Sequence, residues 1–446
     1  MMAHRRFVST WIATESPKAW FGGRGRSGPE SDIVPDFDID PIAAGFDPAR
    51  LWRITEHLRR NFVDPGKIAG CQTLVARHGT VAHFESLGFA DLGSVTPLRD
   101  DAIFRYYSMT KPITSVALMT LYERGLFQLN DPVAKFIPSW HHQVWVSGSG
   151  ENMVLEPPAR AMTMRDLLCH TSGLTYGSLL AGVGAVVEKH PVEEVYDALG
   201  VRDDRSESLA DRVGRLANVP LRFHPGERWM YSLATDVCAY LVEVLSGRRF
   251  DQYLQAEIFE PLGMVDTAFW VEQTNAGRLT TSYGRRRDKS LIVLDRGATS
   301  IYLTEPTLLS GGGGLTGTIA DYFRFSEMLR CGGELDGQRV LGPRTIDLMR
   351  RNHLLRGQDL TQMAMGGFSE TANAGVGFGL GFAQTLDEVA AGSLGHGDYY
   401  WGGAASTIFW VDPVEDMVVI FLTQLMPSTT FNFRGQLKNI IYSALV

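Results

Sequence analysis

Tyr107-Ser108-Met109-Thr110-Lys111-Pro112-Ile113-Thr114-Ser115-Val116-Ala117-Leu118-Met119 is the stretch on which the reading of this chain turns. After Lys111 the residues are nearly all apolar or small through Leu121, and the run stops at Glu123-Arg124-Gly125. A helix apolar on every side is a core helix. Proline is tolerated only in the first turn, so Pro112 predicts a helix that begins at about Ser108. Ser108 and Lys111, three residues apart, then share one face of that turn. A lysine placed there is desolvated and lies at the positive end of the helix dipole, and both effects favour its neutral form. A neutral amine can take the proton of the serine hydroxyl. The Ser108 N–H, free at the helix N-terminus, can hold an oxyanion. The competing reading is a capping serine beside a snorkelling lysine. With 27 serines and 7 lysines among 446 residues, chance supplies about 0.4 such spacings, so the pair alone decides nothing.

Outward from this helix the pattern is strands at both ends and helices between. Leu51, Ile54, Leu58 and Phe62 recur at helical spacing. Cys71–Arg77, a turn at His78-Gly79 and Val81–Phe84 read as a β-hairpin, and Thr407–Val411 followed by Met417–Leu422 reads as a second. A closing helix is expected around Phe433–Leu445, with others at Met164–His170, Leu209–Ala217, Thr235–Leu245, Phe250–Phe259 and Ala320–Leu329. The expected class is α/β + α: an antiparallel β-sheet built from both ends of the chain, flanked by helices, with an inserted all-helical domain. The expected boundaries are a flexible extension over residues 1–45, a sheet domain over 46–125 and 310–446, and a mainly helical domain over 126–309. Trp140–Pro158 reads as a long aromatic loop, either a lid or plain surface.

Composition excludes several functions. The chain is 44% hydrophobic and 21% charged, as soluble globular proteins are. Its formal net charge of -8 comes without a basic stripe, which argues against nucleic acid as a partner. Cys71, Cys169, Cys238 and Cys331 lie far apart and read as reduced residues, not as a disulfide frame or zinc site. The apolar patch near Trp11 is too short and polar for a signal segment, and no run of about 18 apolar residues exists. A cytoplasmic protein without a membrane partner is therefore expected. Gly23-Arg24-Gly25-Arg26-Ser27-Gly28 matches a dinucleotide fingerprint only formally, because no strand precedes it. There is no G-x-S-x-G elbow, H-E-x-x-H or P-loop. His141-His142 lacks metal-ligand company, and His396, just before Trp401-Gly402-Gly403, reads as a structural or exposed histidine in preference to a substrate contact.

Three further stretches give the Ser108/Lys111 pair its weight: Met164-Arg165-Asp166-Leu167-Leu168-Cys169-His170-Thr171-Ser172-Gly173-Leu174, Phe259-Glu260-Pro261-Leu262-Gly263-Met264, and Gly312-Gly313-Gly314-Leu315-Thr316. With them the sequence resembles the serine β-lactamase and penicillin-binding superfamily over roughly residues 48–446, in particular its class C-like family VIII carboxylesterases. The resemblance implies a β-lactamase/transpeptidase-like fold with the active site between sheet and helices. It also implies Ser108 as nucleophile, and Lys111 and Tyr231 as the groups that move its proton. Tyr231-Ser232-Leu233 stands where the family has Y-x-N; a tyrosine merely packed at a helix start is the alternative. Trp401-Gly402-Gly403-Ala404 stands where the family has its third motif, K-[S/T]-G, which is absent. Its two glycines would admit substrate to the backbone, and the Ala404 N–H would join that of Ser108 as oxyanion donor; a tight turn before a strand is the alternative.

These departures carry the substrate expectation. Leu233 and Trp401 replace polar and cationic residues by apolar ones, so a small, largely apolar acyl ester fits better than a penicillin, and Tyr107 is a further candidate wall. No metal or organic cofactor is required. The rivals are a β-lactamase or D-amino-acid amidase, which needs a cation such as Arg344 or Arg351 in place of the missing lysine, an acyltransferase, and a non-catalytic scaffold.

Overall fold

The computed structural model describes residues 37–177, 190–201, 205–365 and 374–446. Its main element is an eight-stranded antiparallel sheet. The strands run in the order Val376–Phe378, Ala383–Thr385, Tyr399–Gly402, Ile408–Asp412, Met417–Thr423, Gly70–Arg77, Thr80–Asp91 and Thr96–Pro97. The two hairpins read from the sequence therefore meet at its centre, with Leu74 opposite Ile420 and Val75 opposite Val419. The first hairpin turns at His78 and Gly79, both with positive φ (54° and 76°). Such a pair of residues matches the right-handed twist of the flanking strands.

Every residue of Met417–Thr423 is buried, so both faces of the sheet are covered. Side chains alternate between the faces. Phe409 meets Tyr322 of the helix Ile319–Arg330 (5.0 Å between centroids), whereas Phe421 meets Phe433 of the helix Phe433–Tyr442 (4.8 Å). Trp401 lies opposite Phe409 in the ladder and so faces the Tyr322 side, while Tyr400 faces the closing helix. This alternation decides which side chains of the third motif reach the candidate site.

The core helix runs from Thr110 to Glu123, preceded by a 3₁₀ turn at Tyr107–Met109, and is buried from Thr110 through Leu121. It packs against the helix Ala234–Ser246. The other expected helices are present as Met164–Leu168, Leu209–Leu216, Phe250–Leu254 with a π-turn at Gln255–Phe259, and Ile319–Arg330. Two small β elements interrupt the helical stretch. The Trp140–Pro158 segment folds in part as the hairpin Val144–Ser147/Val154–Glu156. Ser282–Arg285 pairs with Leu291–Asp295 and, in parallel, with Leu425–Met426.

Of the stretch 1–45 expected to be a flexible extension, residues 1–36, including the Gly23–Gly28 match, lie outside the described residues. From Phe37 the chain is tied to the sheet, which corrects the boundary: Ile39 bridges Val81, Phe37 packs edge-on against Phe84, and Ala44 is buried. Among the described residues no helix is long and apolar enough to cross a membrane. Cys71, Cys169 and Cys238 are buried free thiols, and Cys331 is an exposed one.

Candidate active site

Ser108 sits in the 3₁₀ turn, half-buried, directly after Tyr107, whose φ is +48°. A non-glycine residue with that φ is held against its preference by its surroundings. The Lys111 side chain, 2% exposed, places Nζ 3.2 Å from Ser108 Oγ, and Nζ also donates to the Gly312 carbonyl at 2.6 Å. The same ammonium or amine lies 4.5 Å from the centroid of the Tyr231 ring and 5.4 Å from that of Tyr176. The structure thus gathers Ser108, Lys111 and Tyr231 from positions spread over more than a hundred residues.

Tyr231 is held by aromatic packing. His170, Tyr176 and Trp401 lie 5.0, 5.1 and 5.3 Å from it, and Trp229 stacks at 6.3 Å. Trp401 Nε1 approaches Tyr231 Oη at 3.4 Å. Trp401 and Leu233, read as apolar surface for a substrate, are only 1% and 2% exposed. The reason is packing: the indole fills the space between Tyr231 and Phe378, and Leu233 caps the helix Ala234–Ser246 from within the core. Tyr107 stays half-buried, with its phenol close to Tyr302, Arg105 and Asp295.

The third motif comes to the serine through the turn between Tyr399–Gly402 and Ile408–Asp412. Pairing with the outer strand ends at Ala383 opposite Tyr400, and beyond it Arg434 Nη2 donates to the Trp401 carbonyl at 3.1 Å. Thr407 Oγ1 donates to the Tyr106 carbonyl at 3.2 Å, and Gly403 N–H to the Thr407 carbonyl at 2.7 Å. Ala404, half-buried, follows at once. A Cβ on Gly403 would fall on the Tyr106 carbonyl and on Thr407 Oγ1, and on Gly402 it would lie 3.0 Å from Arg434 Nη2 and 2.9 Å from the Thr407 carbonyl. Glycine at 403 is thus what lets this turn close onto the segment carrying Ser108. Gly403→Ala is expected to lower the melting temperature by several degrees, from a clash of about 1–3 kcal/mol, and to cut turnover disproportionately. Calorimetry beside steady-state kinetics checks both; an unchanged melting temperature would show the contact to be slack. On the closing-helix side, Gly402 and Gly403 also line a cavity with Tyr400, Arg434 and Lys438, which excludes Ser108, Lys111 and Tyr231.

Several residues of this cluster were not singled out from the sequence. Asp236 Oδ1 accepts from Gly312 N–H and from Ser310 Oγ, both at 2.8 Å. Asp236 Oδ2 lies 3.5 Å from Arg212, which is paired with Glu207 at 2.6 Å. His170 Nδ1 contacts Ser232 Oγ at 3.1 Å. His170 and Gly312 stood inside quoted stretches, but nothing in a linear sequence says that both face Lys111. Conversely, His396 is exposed and paired with Glu388, and Arg344 is exposed beside Asp347.

Burial, and secondarily the charge of Lys111, drives the His170 pKa well below its usual 6.5. Burial lowers His83 in the same direction, to about 4. Below about pH 6.5 the unfolded chain binds protons at these two positions that the native protein does not. Stability is therefore lost as the pH falls, by roughly 1.4 kcal/mol per pH unit per group. Burial raises the Asp321 carboxyl to about 7, which works the other way over the same range. The histidine contribution is therefore read by difference: the urea midpoint of His83→Gln is expected to fall less, or to rise more, from pH 7 to pH 5 than that of wild type. Equal changes would contradict this.

The profile of the Beta-lactamase family matches residues 56–440. The chain is 32% identical to esterase EstB of Burkholderia gladioli over 401 residues, covering 86% of this chain and 93% of the relative. Among solved structures, EstCE1, a hydrolase with promiscuous acyltransferase activity, superposes with a TM-score of 0.73 at 27% identity, covering 89% of this chain and 99% of that one. A simvastatin synthase variant (LovD6) from Aspergillus terreus also gives 0.73, at 25% identity over 89% of this chain and 95% of that one. The chain belongs to the Beta-lactamase family and has its fold.

Proposed function

We propose that the protein is a serine carboxylesterase acting on small, largely apolar acyl esters through an acyl-enzyme at Ser108. The observation that carries this reading is the contact of Lys111 Nζ with Ser108 Oγ at 3.2 Å beside the Tyr231 ring. Ser108 Oγ attacks the ester carbonyl and passes its proton to Lys111. The Ser108 and Ala404 N–H groups hold the oxyanion. Tyr231 relays that proton from Lys111 to the departing alcohol; in the second half the attacking water gives a proton to the Lys111/Tyr231 pair, which returns it to Ser108 Oγ as the acid leaves. The likeness to EstB supports an ester as substrate.

Mass spectrometry of enzyme quenched during turnover of p-nitrophenyl butyrate is expected to find butyryl on the peptide containing Ser108. Butyryl elsewhere, or turnover without it, would overturn the reading. Nitrocefin, run alongside, is expected to be cleaved poorly, because Trp401 replaces the family's lysine. The likeness to EstCE1 and to simvastatin synthase favours one second reading, transfer of the acyl group to an alcohol in place of water. Butyl butyrate formed on adding butanol to the same reaction would reveal it.

A further inference from the structure

We infer that Asp236 is a positioning residue for Lys111, acting through the Gly312 peptide; this rests on the Ser108 reading above. Asp236 is 1% exposed and does not itself reach the serine in the hydrogen-bond network. It stands two residues into the helix Ala234–Ser246 and five after Tyr231. Its Oδ1 takes the Gly312 N–H and the Ser310 hydroxyl, both at 2.8 Å, and so clamps the first part of the glycine turn. The carbonyl of the same Gly312 accepts from Lys111 Nζ at 2.6 Å.

A lysine has a compact, rotatable ammonium on a flexible four-carbon stem, so its direction depends on what its donors are offered. With the Gly312 carbonyl fixed, Nζ is kept 3.2 Å from Ser108 Oγ. The clamp is tight: a Cβ on Gly312 would lie 3.2 Å from Asp236 Oδ1 and 3.5 Å from Tyr176 Oη. Asp236 is backed by Arg212, so the carboxylate is itself held in place. One segment thereby sets both partners of the serine, Tyr231 directly and Lys111 at one remove.

Misplacing a catalytic group by about 1 Å can cost about 100-fold in rate. The test measures the rate at which a fluorophosphonate labels Ser108, located by peptide mass spectrometry, in wild type, Asp236→Ala, Asp236→Asn and Gly312→Ala. Kinetics on p-nitrophenyl butyrate accompany it. Asp236→Ala is expected to slow labelling and kcat by about tenfold or more with KM within about twofold. Asparagine keeps an oxygen for Gly312 N–H and is expected to restore the labelling rate to within about threefold of wild type. Should the alanine variant fail to fold because buried Arg212 keeps Glu207 but loses its second carboxylate, Gly312→Ala decides, because its methyl presses on the same link and is expected to slow labelling too. Wild-type labelling in Asp236→Ala or Gly312→Ala overturns the inference and leaves the esterase reading standing. Asparagine as slow as alanine overturns it as well, since charge and not position would then be the cause. Absence of Ser108 labelling in wild type overturns both readings together.

Discussion

Ser108→Ala is expected to abolish hydrolysis of p-nitrophenyl butyrate, with kcat/KM falling by about 10⁴-fold or more. The size follows from the role: without the hydroxyl no acyl-enzyme forms, and the remaining groups can only bind the ester and polarise it. The fold gives no reason for collateral damage. Ser108 is half-buried, the helix behind it is packed by Met109 and Thr110 to Leu121, and the hydrogen bond that Lys111 Nζ donates to its hydroxyl oxygen is a single contact at the helix entry. The melting temperature is therefore expected to stay within a few degrees of wild type. Steady-state kinetics on material free of host esterase, with a thermal melt of the same sample, check both halves. A variant retaining more than about one per cent of turnover would show that the nucleophile lies elsewhere.

Lys111→Met is expected to lower kcat by roughly 1000-fold while leaving KM little changed, because the amine acts on the reacting hydroxyl and not on the bound ester. Methionine keeps the unbranched stem and the volume, so the core helix retains its packing. Two stability effects oppose each other. Removing a buried basic group relieves desolvation, whereas the Gly312 carbonyl loses a donor at a cost of about 1–3 kcal/mol. A net change of no more than a few kcal/mol in either direction is expected in urea unfolding. A kcat drop under about tenfold would reassign the proton transfer to Tyr231 alone.

The parts of the fold legible in the sequence were those where local chemistry and tertiary packing demand the same thing. The core helix announced itself by Pro112 and its unbroken apolar run, and the hairpin at His78-Gly79 by its turn residues. The small sheet of Ser282–Arg285 and Leu291–Asp295 was not legible: both strands are short, the residues between them, Arg286-Arg287-Asp288-Lys289-Ser290, are polar, and the third strand, Leu425–Met426, comes from far along the chain. For the site, Ser108, Lys111 and Tyr231 could be nominated because each sits in a quoted motif. Trp401 was nominated as apolar surface, but its burial against Tyr231 was not legible, since residue type gives apolarity and not the direction in which an indole packs. Asp236 carried no signal, because an acid in the first turn of a helix is ordinary. Only the meeting of that helix with the Gly311–Gly314 turn distinguishes it.

The central pairing of Gly70–Arg77 with Met417–Thr423 has a consequence for how the molecule comes into being. Strand partners separated by some 340 residues must find one another late, and such long-range closure is slow. During synthesis the segment with Ser108 and Lys111 leaves the ribosome long before Ala404, and the strand that seats the Ala404 turn follows later still. A nascent chain therefore holds Ser108 and Lys111 without the Ala404 turn, beside an unpaired strand edge that invites association with other chains. On the proposed Ser108 mechanism, closing the sheet and completing the site become one event, so that ester cleavage during refolding is expected to report the docking of Met417–Thr423 and not the earlier gain of helix.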